Sequence, residues 1–544
     1  KKFAVGFLLF SALLCLFYAL GSLSFSMRVG AFEQSPELGG ECSVAGTVEE
    51  IGESKSYTLL TLGDLWVIDA SGNSVHPGAK MQVYIFGDVP RAGIGSVAMF
   101  DAAVETYDAW AYGRMNANAV IGNTRYRAGV SADKVVFSEG NGAGVFTAMR
   151  RTLHGLLFEN MDEQTASVAY GMLTGNSGYM EEDTLQNFRY GGIAHIFAVS
   201  GLHIGVIYGV LSFFCRKLNL KNCIRVPLVF AALFFYAGVC GFSPSSVRAL
   251  VMCTVAMLAQ AGGLQYDRVG SVSCAALVVL ALNPVYLFSV GFQLSLAAAA
   301  GIVIVGSHLT RLLQKIKILP QKLSSAIGVA FSAQLSTFPL LIDCFGYVSG
   351  ISLFLNLAFI PVISAVYAVL FCGAALSCIL QFAAPVILFV PEFMLRFAVL
   401  PIMMLEFKIL LICGFSFGAS AVLWYILLFL LTDKVNLKPL PKISAASVLC
   451  ALLVLAMAFH NGTFRFDAVM TLHSYYGSNV ALFRSADGDY LISFGEPDER
   501  HIEQLFLREG ISELEGAVFL TDAGSANAAV PVLLCYAELH TVYV

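Results

Sequence analysis

The chain has 544 residues, 57% of them hydrophobic and only 13% charged, with a formal net charge of −5 and a mean hydropathy of +0.75. Those values exclude an ordinary soluble globular protein and a broadly basic nucleic-acid-binding face. They describe a polytopic α-helical membrane protein in which any working positive charge is placed locally.

Lys1 and Lys2 precede an uncharged run from Phe3 to Met27, long enough to cross a bilayer, which takes about 20 residues. No small-x-small cleavage site closes the run. Residues 1–27 are therefore read as a retained transmembrane anchor, lysines in the cytosol, with the chain emerging on the outer face after Arg28. The chain opens on lysine, so a few residues ahead of it are expected. Residues 28–144 then alternate apolar and polar side chains, as in Ser43–Val48, Lys80–Phe86 and Ser96–Tyr107, between Gly, Pro, Asn and Asp punctuation. That period predicts short strands and an extracytoplasmic small β-barrel of the oligonucleotide-binding (OB) type. Trp66, Tyr84, Phe86, Trp110 and Tyr112 are residue types that stack on bases. Filling the barrel core is their simpler use and weighs more.

From Gly144 to Asn160 the period becomes helical, with Phe146, Met149, Leu153, Leu156 and Leu157 on one side and Arg150, Arg151 and His154 on the polar edge. Residues 145–190 are read as amphipathic, interfacial helices. Residues 191–460 carry successive apolar runs separated by three basic loops: Arg216, Lys217, Lys221 and Arg225; Arg311, Lys315, Lys317 and Lys322; Lys434, Lys438 and Lys442. The excess of cations puts all three in the cytosol, and the runs amount to about eleven crossings, ending with Ile443–Phe459. Residues 464–544 form a truncated α/β domain with a helical stretch near Asp498–Arg508. Of thirteen cysteines, most lie in apolar runs, where buried thiols act as small hydrophobes. Cys215 and Cys223 flank a cytosolic loop in which a disulfide is unstable, and Cys42 and Cys535 have no metal-ligand spacing.

Three runs carry chemistry. His195-Ile-Phe-Ala-Val-Ser-Gly-Leu-His203 opens an apolar segment with two histidines, Ser200 and Gly201 where lipid-facing residues belong. Polar groups at that depth are costly and face a bundle interior or a wet path, and glycines there permit close approach or local unwinding. In Gly241-Phe-Ser-Pro-Ser-Ser-Val-Arg248, Ser243 suits a helix N-cap and Pro244 the first helical position. Free backbone amides, Ser245 and Arg248 one turn on would then make an anion site. Snorkelling of Arg248, or pairing with a buried acid, is the competing use. Asn283-Pro284 restarts a helix in the same way, and Gln293 and Ser295 within it can bond a polar substrate or a neighbouring helix. Ala297–Gly301 is a small-residue packing face. Ser200 and His203, three apart, could also serve as nucleophile and base, but no orienting carboxylate lies nearby. The two histidines lack partners at zinc spacing. A polar wall wins over both, and neither a catalytic group, a metal nor a cofactor is expected.

The order of these runs resembles the ComEC family, the membrane channel of bacterial natural transformation. The matching stretches are Gly171-Met-Leu-Thr-Gly-Asn176, Ile193–His203, Gly241–Ala249, Asn283-Pro284 with Gly291-Phe-Gln-Leu-Ser295, Ser336-Thr-Phe-Pro339 and Asn356-Leu-Ala-Phe-Ile-Pro361. The resemblance covers roughly residues 30–460. It implies an outer OB-type domain followed by a polytopic domain that passes single-stranded DNA inward. Family members often end in a metallo-β-lactamase-like domain, and here its motifs are eroded. Leu472–Ser478 keeps neither aspartate of the opening motif, Leu491–Gly495 loses the next one, and Thr521–Asn527 retains only Asp522 as a metal ligand.

The resulting expectation is a multi-pass channel of the bacterial plasma membrane for uptake of single-stranded DNA. Its path would be lined by His195, Ser200, Gly201, His203, Ser243, Ser245, Arg248, Gln293 and Ser295, with outer-domain contacts at Trp66, Tyr84 and Trp110. Residues 464–544 are expected to be a non-catalytic partial domain without zinc. Separate receptor, nuclease and motor proteins are expected, since no Gly-x-x-x-x-Gly-Lys-Ser/Thr loop is present, and a homo-oligomer is allowed. A transporter of a small anionic solute is the alternative, an intramembrane serine hydrolase the more remote one.

Overall fold

The computed structural model describes residues 19–543 except 54–56, 70–71, 88–92, 112–113, 139–143, 317–319, 404–410, 434, 436–437, 461–468, 476–477, 486–487, 495–498, 512, 521–529, 531–532 and 535–537. Most of the expected anchor at 1–27, Tyr112, Lys317, Lys434, the Thr521–Asn527 run and Cys535 lie outside the described residues. Two compact units emerge, one of residues 1–296 with 355–406 and one of 297–354 with 407–544.

In the first unit a helix over residues 19–33 leads into five strands: β1 (Gly40–Glu53), β2 (Thr58–Ile68), β3 (Lys80–Phe86), β4 (Val97–Thr106) and β5 (Thr124–Ser131). The strand β1 pairs with both β2 and β4; β3 pairs with β2 and, in parallel, with β5; β5 pairs with β4. The ring closes. Fourteen-residue β1 does so by breaking register twice against β2, between Ala45 and Thr47 and between Val48 and Glu50, which bends it around the barrel. Alternate residues then point inward, and Leu60, Leu62, Met81, Val83, Ile85, Phe100 and Tyr126 fill the core. Core filling is not the use of every aromatic. Trp66 is 60% exposed and stacked on His76, Trp110 is 47% exposed, and Tyr84 is half-buried against Tyr57.

Helices Val145–Asn160, Glu163–Thr174 and Glu182–Tyr190 follow. The expectation of interfacial helices fails for the second, in which Thr165–Thr174 are all buried. Its Ala, Ser, Gly and Val residues leave no polar face to present to water or headgroups.

Among the described residues seven helices are long and apolar enough to cross a membrane: Asn222–Val239, Pro244–Ala261, Val290–Gln314, Gln321–Phe345, Ser352–Ile379, Gln381–Val399 and Leu440–Phe459. Seven is fewer than the eleven crossings expected. Arg268–Leu282 and Gly418–Leu431 are shorter apolar helices, and Gly201–Lys217 has 17 residues, so length separates them from the rest.

In the second unit, the part of Val290–Gln314 from Ala297 onward packs on Gln321–Phe345 through small residues. A Cβ on Gly301 would lie within 3 Å of Ser336, which bears out the small-residue face read at Ala297–Gly301. The chain winds one π-turn at Ile302–Gly306 beside this contact. Asp343 accepts hydrogen bonds from the backbone amides of Phe417 (2.6 Å) and Gly418 (3.0 Å), capping Gly418–Leu431. The C-terminal residues form a five-stranded sheet: Val469–Tyr475, Ser478–Ser485 and Gly488–Phe494 are antiparallel, and Glu513–Phe519 and Glu538–Tyr543 add in parallel. The helix Glu499–Glu509 makes the parallel crossover and buries Ile502, Leu505 and Phe506 on the sheet.

Candidate functional site

A cavity of about 420 Å³ in the first unit gathers residues far apart in sequence. Its wall comprises Glu49 and Glu50 of β1, Arg150, Tyr170, Thr174–Ser177, Ala198, Val199, Cys240, Ser243–Ser245 and Gly291. Four of the runs singled out in the sequence thus meet at one opening beside the barrel. Local chemistry explains the meeting. Gly175 ends the buried helix in the left-handed region (φ +83), and a Cβ there would reach within 3.0 Å of Val199, so the Gly171–Asn176 run can lie directly on the Ala198–Ser200 turn. The Asn176 amide donates to the Ile51 carbonyl at 3.3 Å, tying the same turn to the end of β1. Ser245 donates to the Val199 carbonyl and links the third run to the second.

The helix starts fold as their caps dictate. Ser243 is the N-cap of Pro244–Ala261, accepting from the Ser246 amide at 3.4 Å, with Pro244 in the first turn. Ser200 is the N-cap of Gly201–Lys217, and its hydroxyl accepts from the Leu202 amide at 3.2 Å. His203 Nδ1 in turn accepts from the Ser200 amide at 3.2 Å, the reciprocal bond of a capping box. The three-residue spacing of Ser200 and His203 is therefore a helix start and not two groups on one helical face. Ser200 Oγ lies 3.5 Å from the same Nδ1, so the Ser200 amide is its closer partner.

The nine residues expected to line one polar path are divided. Ser243 and Ser245 line the cavity. His195 and Gly201 are exposed and Ser200 is half-buried. His203 is wholly buried with its ring 4.3 Å from that of Tyr367, and it forms core and not wall, because its box bond turns it back into the bundle. Its neighbour Tyr367 donates to Tyr236 at 2.6 Å, and Tyr236 donates to the Leu173 carbonyl at 2.9 Å. Gln293 donates to the Leu287 carbonyl at 2.9 Å, closing the turn after Asn283-Pro284. Ser295 is half-buried in the same helix. Arg248 is 9% exposed, and its Nε and Nη1 have no hydrogen-bond partner among the described residues. It stands one turn beyond Ser245 on the same helix face.

The cavity's charged rim escapes a reading of the sequence. Helical periodicity puts Arg150 on a polar edge facing solvent. It instead donates from Nε to the Val239 carbonyl at 2.8 Å and pairs through Nη1 with Glu50 at 3.0 Å. One signal was available: Arg150 and His154 sit four apart, so they share a face with Leu157, which is fully buried. His154 lies against Phe158, Tyr170 and Tyr179, and burial holds its pKa below the usual 6.5. In the C-terminal sheet, Glu513, Glu515 and His540 bring three metal-ligand atoms within 4.8 Å of one another. His540 bonds Glu513 at 2.8 Å across exposed neighbouring strands. A cross-strand hydrogen bond thus joins two of the three.

The profile of the Competence protein family matches residues 172–436, which contain every run just described from Leu173 onward. ComE operon protein 3 of Bacillus subtilis (strain 168) is 30% identical over 213 residues, covering 38% of this chain and 26% of that protein. Recombination protein 2 of Haemophilus influenzae (strain ATCC 51907 / DSM 11121 / KW20 / Rd) is 28% identical over 131 residues, covering 23% and 17%. The matched stretch is thus about a quarter or less of either relative's length. No solved structure matches the chain. The seven long apolar helices among the described residues make this a multi-pass membrane protein, and the competence match falls on its helical part. Over residues 172–436, a little under half its length, the chain is similar to the competence protein family.

Proposed function

We propose that this chain carries single-stranded DNA inward across a bacterial plasma membrane during natural transformation, and that the cavity beside the barrel is the outer vestibule of the path. The supporting observation is the convergence of four family runs on that cavity, with Arg248, whose Nε and Nη1 have no partner among the described residues, one helical turn behind its serines. A buried guanidinium without a partner is costly unless an anion visits it, and a phosphodiester supplies that charge. Serine hydroxyls and Arg150 would hand the backbone on, binding weakly enough to release it. The strand order β1-β2-β3-β5-β4, closed back on β1, supports an OB-type barrel. Exposed Trp66 and half-buried Tyr84 are its base-stacking candidates.

Topology supports the same reading. The helix at 19–33, Gly201–Lys217, the seven long helices and the two shorter ones total eleven. If each crosses once and the N-terminus is cytosolic, all three basic loops fall inside, and the barrel, the vestibule and residues 461–544 fall outside. The C-terminal domain we take to be a non-catalytic partial relative of the metallo-β-lactamase fold without zinc, leaving nuclease and motor work to other proteins; stoichiometric zinc in the purified chain would overturn that. The decisive test is Arg248→Ala in a transformable host. Import of labelled DNA should be lost while surface binding persists and the protein stays at normal abundance in the membrane. Unchanged import would remove Arg248 from the path.

A further inference from the structure

Trp110 belongs by residue type with the base-stacking aromatics, but its surroundings point elsewhere. It lies on the short hairpin Trp110–Ala111 and Arg114–Met115 that leaves the barrel after β4. Its ring meets Phe288 edge-on at 6.4 Å, and Phe288 meets Phe25 of the first helix at 5.7 Å. Beneath the same hairpin a small apolar core joins Val29, Phe32, Ala109, Ala117, Val120 and Val285. The hairpin is therefore fixed to the ends of two apolar helices.

Those ends share one level. Arg28 donates to the Leu282 carbonyl at 2.6 Å, so the first charged residue after the apolar run caps the C-terminus of Arg268–Leu282. Exposed apolar side chains lie on both sides of this bond: Met27 (66%), Leu282 (56%), Leu287 (53%), Phe288 (44%) and Trp110 (47%). A run of exposed apolar groups that continues an apolar helix and ends at an arginine is the composition of a bilayer boundary, where tryptophan places its ring in the headgroup zone and its N–H toward water.

We infer that Trp110 and the hairpin carrying it are seated in the lipid headgroup layer, anchoring the barrel to the membrane surface, and that they make no contact with DNA. Trp66 has a different setting. It belongs to β2 and stacks on His76 within 4.9 Å, on the barrel's own surface. The inference uses the membrane assignment but not the DNA-path reading, so either can fail alone.

The chain has three tryptophans, which makes the test direct. Full-length protein retaining only Trp110 (Trp66→Phe with Trp424→Phe) is reconstituted in lipid nanodiscs and compared with a version retaining only Trp66. Trp110 fluorescence should be quenched by lipids carrying a shallow doxyl label, less by a deep label, and little by aqueous iodide. Trp66 should show the reverse, quenched by iodide and indifferent to doxyl. Added single-stranded DNA should leave the Trp110 signal unchanged. Quenching of Trp110 by iodide and not by doxyl overturns the inference, as does quenching by DNA. Protection from both iodide and doxyl also overturns it, since a protein surface would then cover the ring. Circular dichroism of both variants must match the parent. If the doubly substituted form fails to fold, Trp424→Phe alone should keep a shallow-doxyl-sensitive emission that Trp424→Phe with Trp110→Phe loses; an unchanged signal between the two overturns the inference.

Discussion

The serines of the two units obey different rules. In the second unit Ser332 and Ser336 are buried against Gly306 and Gly301, and Ser332 bonds its own helix at Val329. Their role is size: each lets two helices approach. In the first unit Ser243 and Ser245 line a cavity, and Ser245 reaches across to another run at Val199. A hydroxyl at membrane depth is therefore no sign of a path by itself. What distinguishes the second pair is that their runs converge on an opening with a charged rim.

That contrast can be broken at several points. Gly301→Leu should have the largest effect after loss of Arg248, because its side chain would overlap Ser336; overpacking costs about 1–3 kcal/mol, read as a lower melting temperature and less protein in the membrane. Ser245→Ala should leave abundance normal and slow DNA uptake roughly fivefold, the equivalent of about 1 kcal/mol for one hydrogen bond. Ser336→Ala, the control, should keep both abundance and uptake; slowed uptake in that variant would erase the distinction. The smallest effect is one of pH at His154, behind the cavity wall at Tyr170. Burial holds the His154 pKa below 6.5 in the folded chain. As pH falls below about 6.5 the unfolded chain takes up a proton that the folded chain refuses, so stability declines until the lowered folded value is reached. Thermal melts at falling pH should show this loss in the parent and less of it in His154→Phe.

Much of this is legible from residues alone. The period-two runs give the barrel, Ser243-Pro244 gives a helix start, and Ala297–Gly301 gives a packing face, because each is a local rule. The expected path is less legible. His203 and Ser200 satisfy each other across three residues, and a capping box looks the same in sequence as a dyad or a polar stripe. Arg150 and Glu50 meet across 100 positions, and no local period reports such a pair. Trp66 stacks on His76 and Trp110 meets Phe288 edge-on, surface neighbours that the strand pattern does not encode.

The cap that Asp343 provides also orders events in biogenesis. The carboxylate lies 74 and 75 residues upstream of the amides it serves, so Gly418–Leu431 leaves the translocon into surroundings where its acceptor is already waiting. A ribosome that stalls between the two helices would leave a correctly inserted first half, whereas an isolated second half would have to enter the bilayer with its leading turn uncapped.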